Sequence, residues 1–233
     1  MPRRGRRSTL SRMARDLHAG FRDPRRVPAA ELVRFLETVD RLPGIRAIQR
    51  ALRAALDLRR DTRVLDAGCG IGLETARLDA RVTGLDRNPE LLDVARSRSS
   101  GVDWVEGDIA ALELPGGAFD AVRTERVLMY LPDLERGLDE LLRVLRPGGR
   151  LALFELDYGA TILPPGGPVV DRVLETLHAS LPQPLAGRRI PGLLRARGLR
   201  DVTARVGAHV TAAGRSRSPR PPHRCATAPS SRG

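Results

Sequence analysis

The sequence predicts an α/β fold in which a mostly parallel sheet carries helices on both of its faces. From residue 63 onward, short β-rich runs alternate with helical stripes of apolar residues, which is the order expected of such a sheet. The first β-rich run ends in a glycine-rich turn. A chain of 233 residues with 41% apolar content is large enough for one domain of this type.

Two amphipathic helices are predicted ahead of the sheet. Apolar residues recur at helical spacing in residues 32–39 and again in residues 45–56, on either side of Pro43. Five strands are then expected, near residues 63–67, 81–85, 102–105, 119–124 and 150–155.

Two of the helices between these strands begin at residues that favour helix starts. Asn88 followed by proline predicts a helix that runs through Arg96, and Asp133 predicts a second N-cap. The second helix has a stripe of leucines and ends at the Pro-Gly-Gly turn of residues 147–149, directly before the fifth strand.

The C-terminal third is less regular. It predicts a helix near residues 169–180, a helix near residues 188–197 and a strand near residues 199–206. From residue 207 onward there is no apolar periodicity and no acidic residue. We therefore expect a folded domain at residues 27–206 between a disordered basic arm at 1–26 and a disordered basic tail at 207–233.

The net charge of +12 lies in those two terminal segments. Residues 1–26 hold nine arginines and two acids, and residues 207–233 hold five arginines and no acid, so the segment between them is neutral. Basic arms without interleaved aromatic residues are more often solvated than bound to nucleic acid. We therefore expect no nucleic-acid partner.

The two cysteines, Cys69 and Cys225, cannot form a disulfide framework or a zinc cluster, which favours a cytoplasmic protein without a metal. No apolar run approaches the roughly 20 residues of a membrane span, so no membrane insertion is expected.

The segment VLDAGCGIG, residues 64–72, is the strongest local signal. Its glycines at positions 68, 70 and 72 allow backbone amides and a helix start to approach a ligand closely. A dinucleotide-binding turn would have a third glycine at position 73, where this chain has leucine, and Asp66 would repel a pyrophosphate. Asp66 suits an ammonium or sulfonium group instead.

Two further acids follow the next two strands. Asp86 ends the segment VTGLD and is placed to accept ribose hydroxyls, and Asp108 is placed to accept the exocyclic amine of adenine while Ile109 packs on the ring. The carboxyl ends of parallel strands share one edge of the sheet, so the three acids predict one site for a nucleoside with a positive tail.

Five successive segments, VLDAGCGIG, VTGLD, VEGDI, FDAVRTERVLMYL and LLRVLRPGGRL, resemble the ordered motifs of class I S-adenosylmethionine-dependent methyltransferases. The likeness covers about residues 32–206 and is nearest to the quinone-biosynthesis and natural-product branch. It implies a Rossmann-like sheet, S-adenosylmethionine as cofactor and a small-molecule methyl acceptor, whose oxygen, carbon or nitrogen atom is left open.

The resemblance also implies roles for individual residues. Asp66, Gly68 and Gly70 match positions that bind the methionine part, Asp86 matches the ribose position, and Asp108 with Ile109 matches the adenine position. Cys69 and Gly72 complete the turn, and Cys69 is expected to fill space and not to act as a nucleophile.

Arg87 and Glu125 are further candidates for cofactor contacts, because each lies at a strand end that borders the predicted site. Tyr130 is the candidate catalytic residue, since many similar proteins have histidine at its position. A half-buried aromatic side chain on the rim of the pocket is the competing interpretation. His178 is a weaker candidate, and the general base is left open.

Two alternatives to an active small-molecule methyltransferase follow from the same residues. A nucleic-acid methyltransferase is disfavoured because RTERV follows the fourth strand in place of an NPPY-like turn, and a protein methyltransferase is likewise less favoured. The other alternative is a degenerate methyltransferase that binds the cofactor without turnover.

The segment after residue 206 departs from the family pattern, as a frameshift or truncation would cause, and the final antiparallel strand is expected to be missing. Loss of that strand predicts self-association through an open sheet edge.

Overall fold

In the part of the chain that the structure describes, residues 17–160, 172, 175–176 and 178–207, five parallel strands form one sheet. The structure is a computed structural model. The strands are β1 (Arg63–Ala67), β2 (Arg81–Asp86), β3 (Asp103–Glu106), β4 (Phe119–Glu125) and β5 (Leu145–Phe154), in the spatial order β3-β2-β1-β4-β5. This order places the carboxyl ends of β1 and β4 at the centre of one edge, beside the point where the chain reverses its winding direction.

The helices pack on both faces of the sheet. They are α1 (Ala29–Asp40), α2 (Pro43–Leu56), α3 (Pro89–Arg98), α4 (Leu134–Val144) and α5 (Ala186–Ala196). Asn88 accepts hydrogen bonds from the first amides of α3, and Asp133 does the same for α4, so both predicted N-caps are confirmed. The parallel sheet with helices on both faces confirms the predicted fold class.

Alternation along the strands builds two apolar layers. Leu65 and Val122 pack with the buried leucines of α4, whereas their neighbours Val64 and Ala121 pack with Leu56 of α2 on the opposite face. Successive side chains of a strand point to opposite faces, so strands buried on both sides read as continuous apolar runs. In β1 all four residues of VLDA are buried, and the charged Asp66 is the one exception to the apolar run.

The prediction of a disordered arm up to residue 26 is wrong for its last ten residues. Residues 17–22 are helical and residues 24–26 form a 3-10 turn capped by Asp23. Leu17 and Phe21, four residues apart, lie on one side of this helix and pack against the cluster that contains Leu32. The arginines around this pair dominate the composition, but the two apolar side chains fix the position of the segment.

The predicted strand near residues 199–206 is also wrong. Residues 201–207 have no regular secondary structure, and Val206 is fully exposed. A strand at this position would need a neighbouring strand to satisfy its amides, and none of the five described strands pairs with it. The predicted helix near 169–180 lies largely outside the described residues, as do residues 1–16 and 208–233.

The side of β5 that faces away from β4 has no strand partner among the described residues. No antiparallel strand is present there, although an isolated antiparallel bridge joins Asp108 to Ala111 elsewhere. Self-association through this edge remains a prediction. None of the helices in the described residues is long and apolar enough to cross a membrane.

The turn between α4 and the main part of β5 sets a test of the packing. A Cβ atom on Gly149 would lie 2.9 Å from the backbone oxygens of both Arg146 and Asp120. We expect Gly149→Ala to lower the free energy of unfolding by about 1–3 kcal/mol through overpacking. Urea denaturation followed by circular dichroism measures this.

The matched control is Gly192→Ala within α5, where an added Cβ meets nothing within 4 Å. Alanine is the better helix former, so this variant should gain up to about 1 kcal/mol. Equal effects of the two substitutions would contradict the packing described for the turn at Gly149.

Candidate functional site

A cavity opens at the carboxyl edge of the sheet, with an empty volume of about 890 Å³ including its mouth. The wall of the cavity has two sides, which are defined by the strands that their residues follow. The β1–β3 side is formed by residues that follow the first three strands: Gly68, Gly70, Asp86, Arg87, Gly107, Asp108 and Ile109. The β4–β5 side is formed by residues after the last two strands and by the N-terminal helix: His18, Phe21, Arg126, Met129, Tyr130, Leu131, Leu156 and Tyr158.

The glycine turn after β1 is held against the end of β2. The amides of Gly68 and Cys69 both donate to the carbonyl oxygen of Leu85, at 2.7 and 2.9 Å. Gly68 has φ of 78° and Gly70 has φ of 55°, a region that glycine occupies without strain. A Cβ atom on Gly68 would also lie 2.3 Å from Val127. The backbone of the turn therefore comes close to the cavity because both positions lack side chains.

Asp86 faces the cavity and is linked to the same turn. Its carboxylate accepts the Gly70 amide at 2.8 Å and the Asn88 amide at 2.9 Å. Burial raises the pKa of the Asp86 carboxyl above its usual value, and the two amide donors oppose this shift. A carboxylate has about four lone-pair sites, so two amides leave capacity for hydroxyl donors from a ligand.

Asp108, Ile109 and Arg87 also line this side of the cavity, as their positions in the sequence predict. Asp108 accepts the amide of Ala110 at 2.9 Å, which fixes the turn after β3, and its side chain remains exposed. Ile109 is buried at the base of the wall. The structure thus brings a carboxylate and an apolar surface together next to Asp86.

Asp66 does not line the cavity. It is 1% exposed, its two carboxylate oxygens accept from the guanidinium of Arg123 at 2.9 and 3.0 Å, and Thr75 donates to it at 2.5 Å. Arg123 is itself buried and also pairs with Glu125 at 2.8 Å. The expectation that Asp66 faces a positive ligand group directly is therefore not met, because Arg123 already supplies its counter-charge.

Cys69 and Gly72 are absent from the cavity wall too. A Cβ atom on Gly72 would lie 2.4 Å from the indole of Trp104, so this glycine makes room for the tryptophan that packs beside β2. Burial raises the pKa of the Cys69 thiol well above its ordinary value, which keeps the thiol protonated. Both residues therefore support the turn from the side that faces away from the cavity.

Glu125 lines the cavity between its two sides. Its carboxylate is paired with Arg123 and with Arg126, and Gln49 of α2 donates to it at 3.4 Å. The chain of buried charges from Asp66 through Arg123 to Glu125 thus links the end of β1 to the end of β4. Nothing in the sequence pattern predicts that Arg123 is the centre of this network, because its partner Asp66 lies 57 residues away in the sequence.

On the β4–β5 side, Tyr130 donates to or accepts from His18, with 3.0 Å between the tyrosine oxygen and Nδ1. Burial raises the pKa of the Tyr130 phenol far above its ordinary value, so this residue is not a base. His178 contacts the backbone oxygen of Tyr158 and does not line the cavity. His18 was not predicted as a site residue, because it lies in the segment that its arginines assign to the basic arm.

Glu155 supports the turn that carries Tyr130. One of its oxygens accepts the amides of Val127 and Leu128, at 2.8 and 2.7 Å, and its other oxygen has no hydrogen-bond partner in the described structure. Burial raises the pKa of Glu155 to about 7. A signal for it exists in the sequence, as an acid that directly follows the fifth strand.

A family model described as a methyltransferase domain matches residues 65–153, which span β1 to β5. These residues form a class I methyltransferase domain. The cofactor of this family is S-adenosylmethionine, so the predictions of family and cofactor are confirmed. Among the described residues of the domain, no three histidine, cysteine or acidic side chains are grouped as a metal site would require.

Two relatives and one solved structure place the methyltransferase domain among known proteins. It is similar to a 37.1 kDa protein in transposon Tn4556 of Streptomyces fradiae, with 37% identity over 54% of this chain and 39% of that protein. It is also similar to the demethylmenaquinone methyltransferase of Thermus thermophilus, with 36% identity over 54% of this chain and 63% of the relative. The chain thus spans less than two thirds of either relative.

The YcgJ protein of Bacillus subtilis has the same fold. Its crystal structure aligns with 65% of this chain and 67% of its own length, at a TM-score of 0.52 and 22% identity. At this identity the likeness concerns the arrangement of strands and helices alone.

The buried ion pair of the methyltransferase domain predicts an asymmetric response to substitution. Arg123→Met leaves Asp66 buried without its counter-charge, and we expect a loss of about 3–5 kcal/mol in the free energy of unfolding. The double variant Asp66→Leu with Arg123→Met removes both charges and should lose less than the single variant. A double variant that is less stable than Arg123→Met, in urea titrations, would argue against this pairing.

The raised pKa of Glu155 predicts a pH dependence of stability. A group whose pKa is higher in the folded state than its ordinary value of 4.5 contributes stability at low pH, and this contribution is lost as the pH rises through about 7. Relative to Glu155→Gln, which keeps an acceptor oxygen, the wild type should lose on the order of 2 kcal/mol between about pH 4.5 and pH 8. Parallel unfolding curves at each pH measure the difference, and a flat difference would refute the raised pKa.

Proposed function

We propose that this chain binds S-adenosylmethionine on the β1–β3 side of the cavity and transfers its methyl group to a small molecule on the β4–β5 side. The proposal rests on one observation, which is that the two sides of the same cavity wall differ in their chemistry. Carboxylates and glycine backbone lie on the first side, whereas aromatic and apolar side chains lie on the second. A donor and an acceptor can therefore occupy the same cavity next to each other.

The residues present fit the cofactor. The glycine turn lets its backbone approach the amino-acid part, Asp86 is placed to accept the ribose hydroxyls, and Asp108 with Ile109 is placed for the adenine. When bound, S-adenosylmethionine supplies a methyl group on a positively charged sulfur. Asp66 then acts indirectly, by fixing Arg123 and the strand that leads into the glycine turn.

The work of the protein in methyl transfer is to hold the acceptor in line with the methyl group and to keep water away. The two aromatic residues Phe21 and Phe35 close the cavity from the N-terminal helices. Tyr130 and Tyr158 form part of the opposite wall, and burial raises the pKa of Tyr158 to about 12. Both phenols are therefore neutral near pH 7, so they orient or enclose an acceptor and do not remove its proton.

A small acceptor is favoured over RNA or protein by the enclosure of the β4–β5 side. The N-terminal helix lies over it, and the wall contains more apolar than charged side chains. The relative named demethylmenaquinone methyltransferase acts, by its name, on a small molecule. An acceptor atom is not assigned, because the wall fits oxygen, carbon and nitrogen acceptors alike.

Calorimetric titration with S-adenosylhomocysteine tests cofactor binding. Asp86→Asn keeps the size of the side chain but removes its charge and replaces one acceptor oxygen by a donor, so it weakens the hydrogen bonds to the ribose hydroxyls and to one of the two backbone amides that Asp86 accepts. We expect binding to weaken by about tenfold. The control is Asp79→Asn, an exposed acid away from the cavity that pairs with Arg60, and it should bind as the wild type does.

Two results would overturn parts of this proposal. Wild-type binding in Asp86→Asn would reject the ribose assignment. Tight binding of S-adenosylmethionine without methylation of any acceptor in a small-molecule panel would favour a protein that binds the cofactor without turnover.

A further inference from the structure

Aromatic side chains are concentrated at the cavity of a chain that has few of them. The sequence contains four phenylalanines, two tyrosines and one tryptophan. Four of these seven line the cavity: Phe21, Phe35, Tyr130 and Tyr158. Aromatic rings bind planar apolar molecules through offset and edge-to-face contacts. The wall is thus suited to an acceptor that contains an aromatic ring.

His18 is the polar side chain within this aromatic group. Its ring lies 5.8 Å from that of Tyr130 and 5.9 Å from that of Tyr158, measured between centroids. Nδ1 is engaged by the Tyr130 hydroxyl at 3.0 Å. Among the described residues Nε2 has no hydrogen-bond partner, although the ring is half-buried in the cavity wall. One nitrogen therefore fixes the ring and the other is available to a ligand.

The charge state of His18 determines what that nitrogen can do. Burial, together with the nearby Arg22 guanidinium, lowers the pKa of His18 to about 4, so the ring is neutral at pH 7. A neutral imidazole carries one proton and one lone pair. If Nδ1 donates its proton to Tyr130, the lone pair of Nε2 accepts a hydrogen bond from a ligand.

We propose that Nε2 of His18 accepts a hydrogen bond from the hydroxyl group of an aromatic acceptor, while Nδ1–H of the same ring donates to the Tyr130 hydroxyl. His18 is then a specificity-determining residue, and the acceptor class is that of ring compounds with a free hydroxyl group. The inference rests on the proposed function, because it assigns the molecule that occupies the β4–β5 side.

The test uses two matched probes, 4-propylphenol and 4-propylanisole, in the presence of saturating S-adenosylhomocysteine. They share the ring and the alkyl chain, but the anisole has no O–H donor. We expect the wild type to bind the phenol about fivefold or more tightly than the anisole, as one hydrogen bond to a buried group allows. In His18→Leu this ratio should fall to about one.

His178→Leu is the control, because His178 is exposed and lies outside the cavity wall. It should keep the wild-type ratio. Nitrogen NMR of labelled histidine gives a second readout, in which the His18 ring should stay neutral at pH 6 and its Nε2 resonance should shift on addition of the phenol.

The outcomes separate the two proposals. Failure of the wild type to bind S-adenosylhomocysteine would refute the proposed function itself. Normal binding of that compound by wild type and His18→Leu, with a phenol preference that persists in His18→Leu, would refute only the role of His18. A protonated His18 ring at pH 6 would refute it as well.

Discussion

The hydrogen bond from the Gly70 amide to the Asp86 carboxylate is the contact on which the site depends. It joins the turn after β1 to the end of β2, and two further amides of the same turn bond the Leu85 carbonyl. Because the turn is shaped by positive φ angles at Gly68 and Gly70, residues with side chains would strain it. The backbone that lines the cavity and the acid that faces it are therefore positioned together.

A second set of buried contacts fixes the positions of the two sides of the cavity wall relative to each other. Arg123 joins Asp66 at the end of β1 to Glu125 at the end of β4, and all three are largely removed from water. Buried ion pairs of this kind give up much of their attraction as desolvation, so we regard the network as positional and not as a large source of stability. It fixes the strand ends at the boundary between the β1–β3 side and the β4–β5 side of the cavity wall.

The sequence was sufficient to predict the five strands, both side-chain helix caps and the exposure of Asp86 and Asp108 to one cavity. These features are local: alternation, cap chemistry and the shared edge of parallel strands determine them. The position of Asp66 could not be predicted, because it depends on an arginine that is 57 residues away in sequence. His18 was missed for a similar reason, since its contact with Tyr130 spans 112 residues. The strand predicted at residues 199–206 is not formed, because none of the described strands lies beside this segment to pair with it.

A crystal structure of the protein with S-adenosylhomocysteine would show which residues hold the nucleoside. We expect the ribose hydroxyls to lie within hydrogen-bond distance of Asp86, the adenine to contact Ile109, and Asp66 to remain paired with Arg123. A nucleoside bound elsewhere, or a ribose that does not contact Asp86, would contradict this expectation.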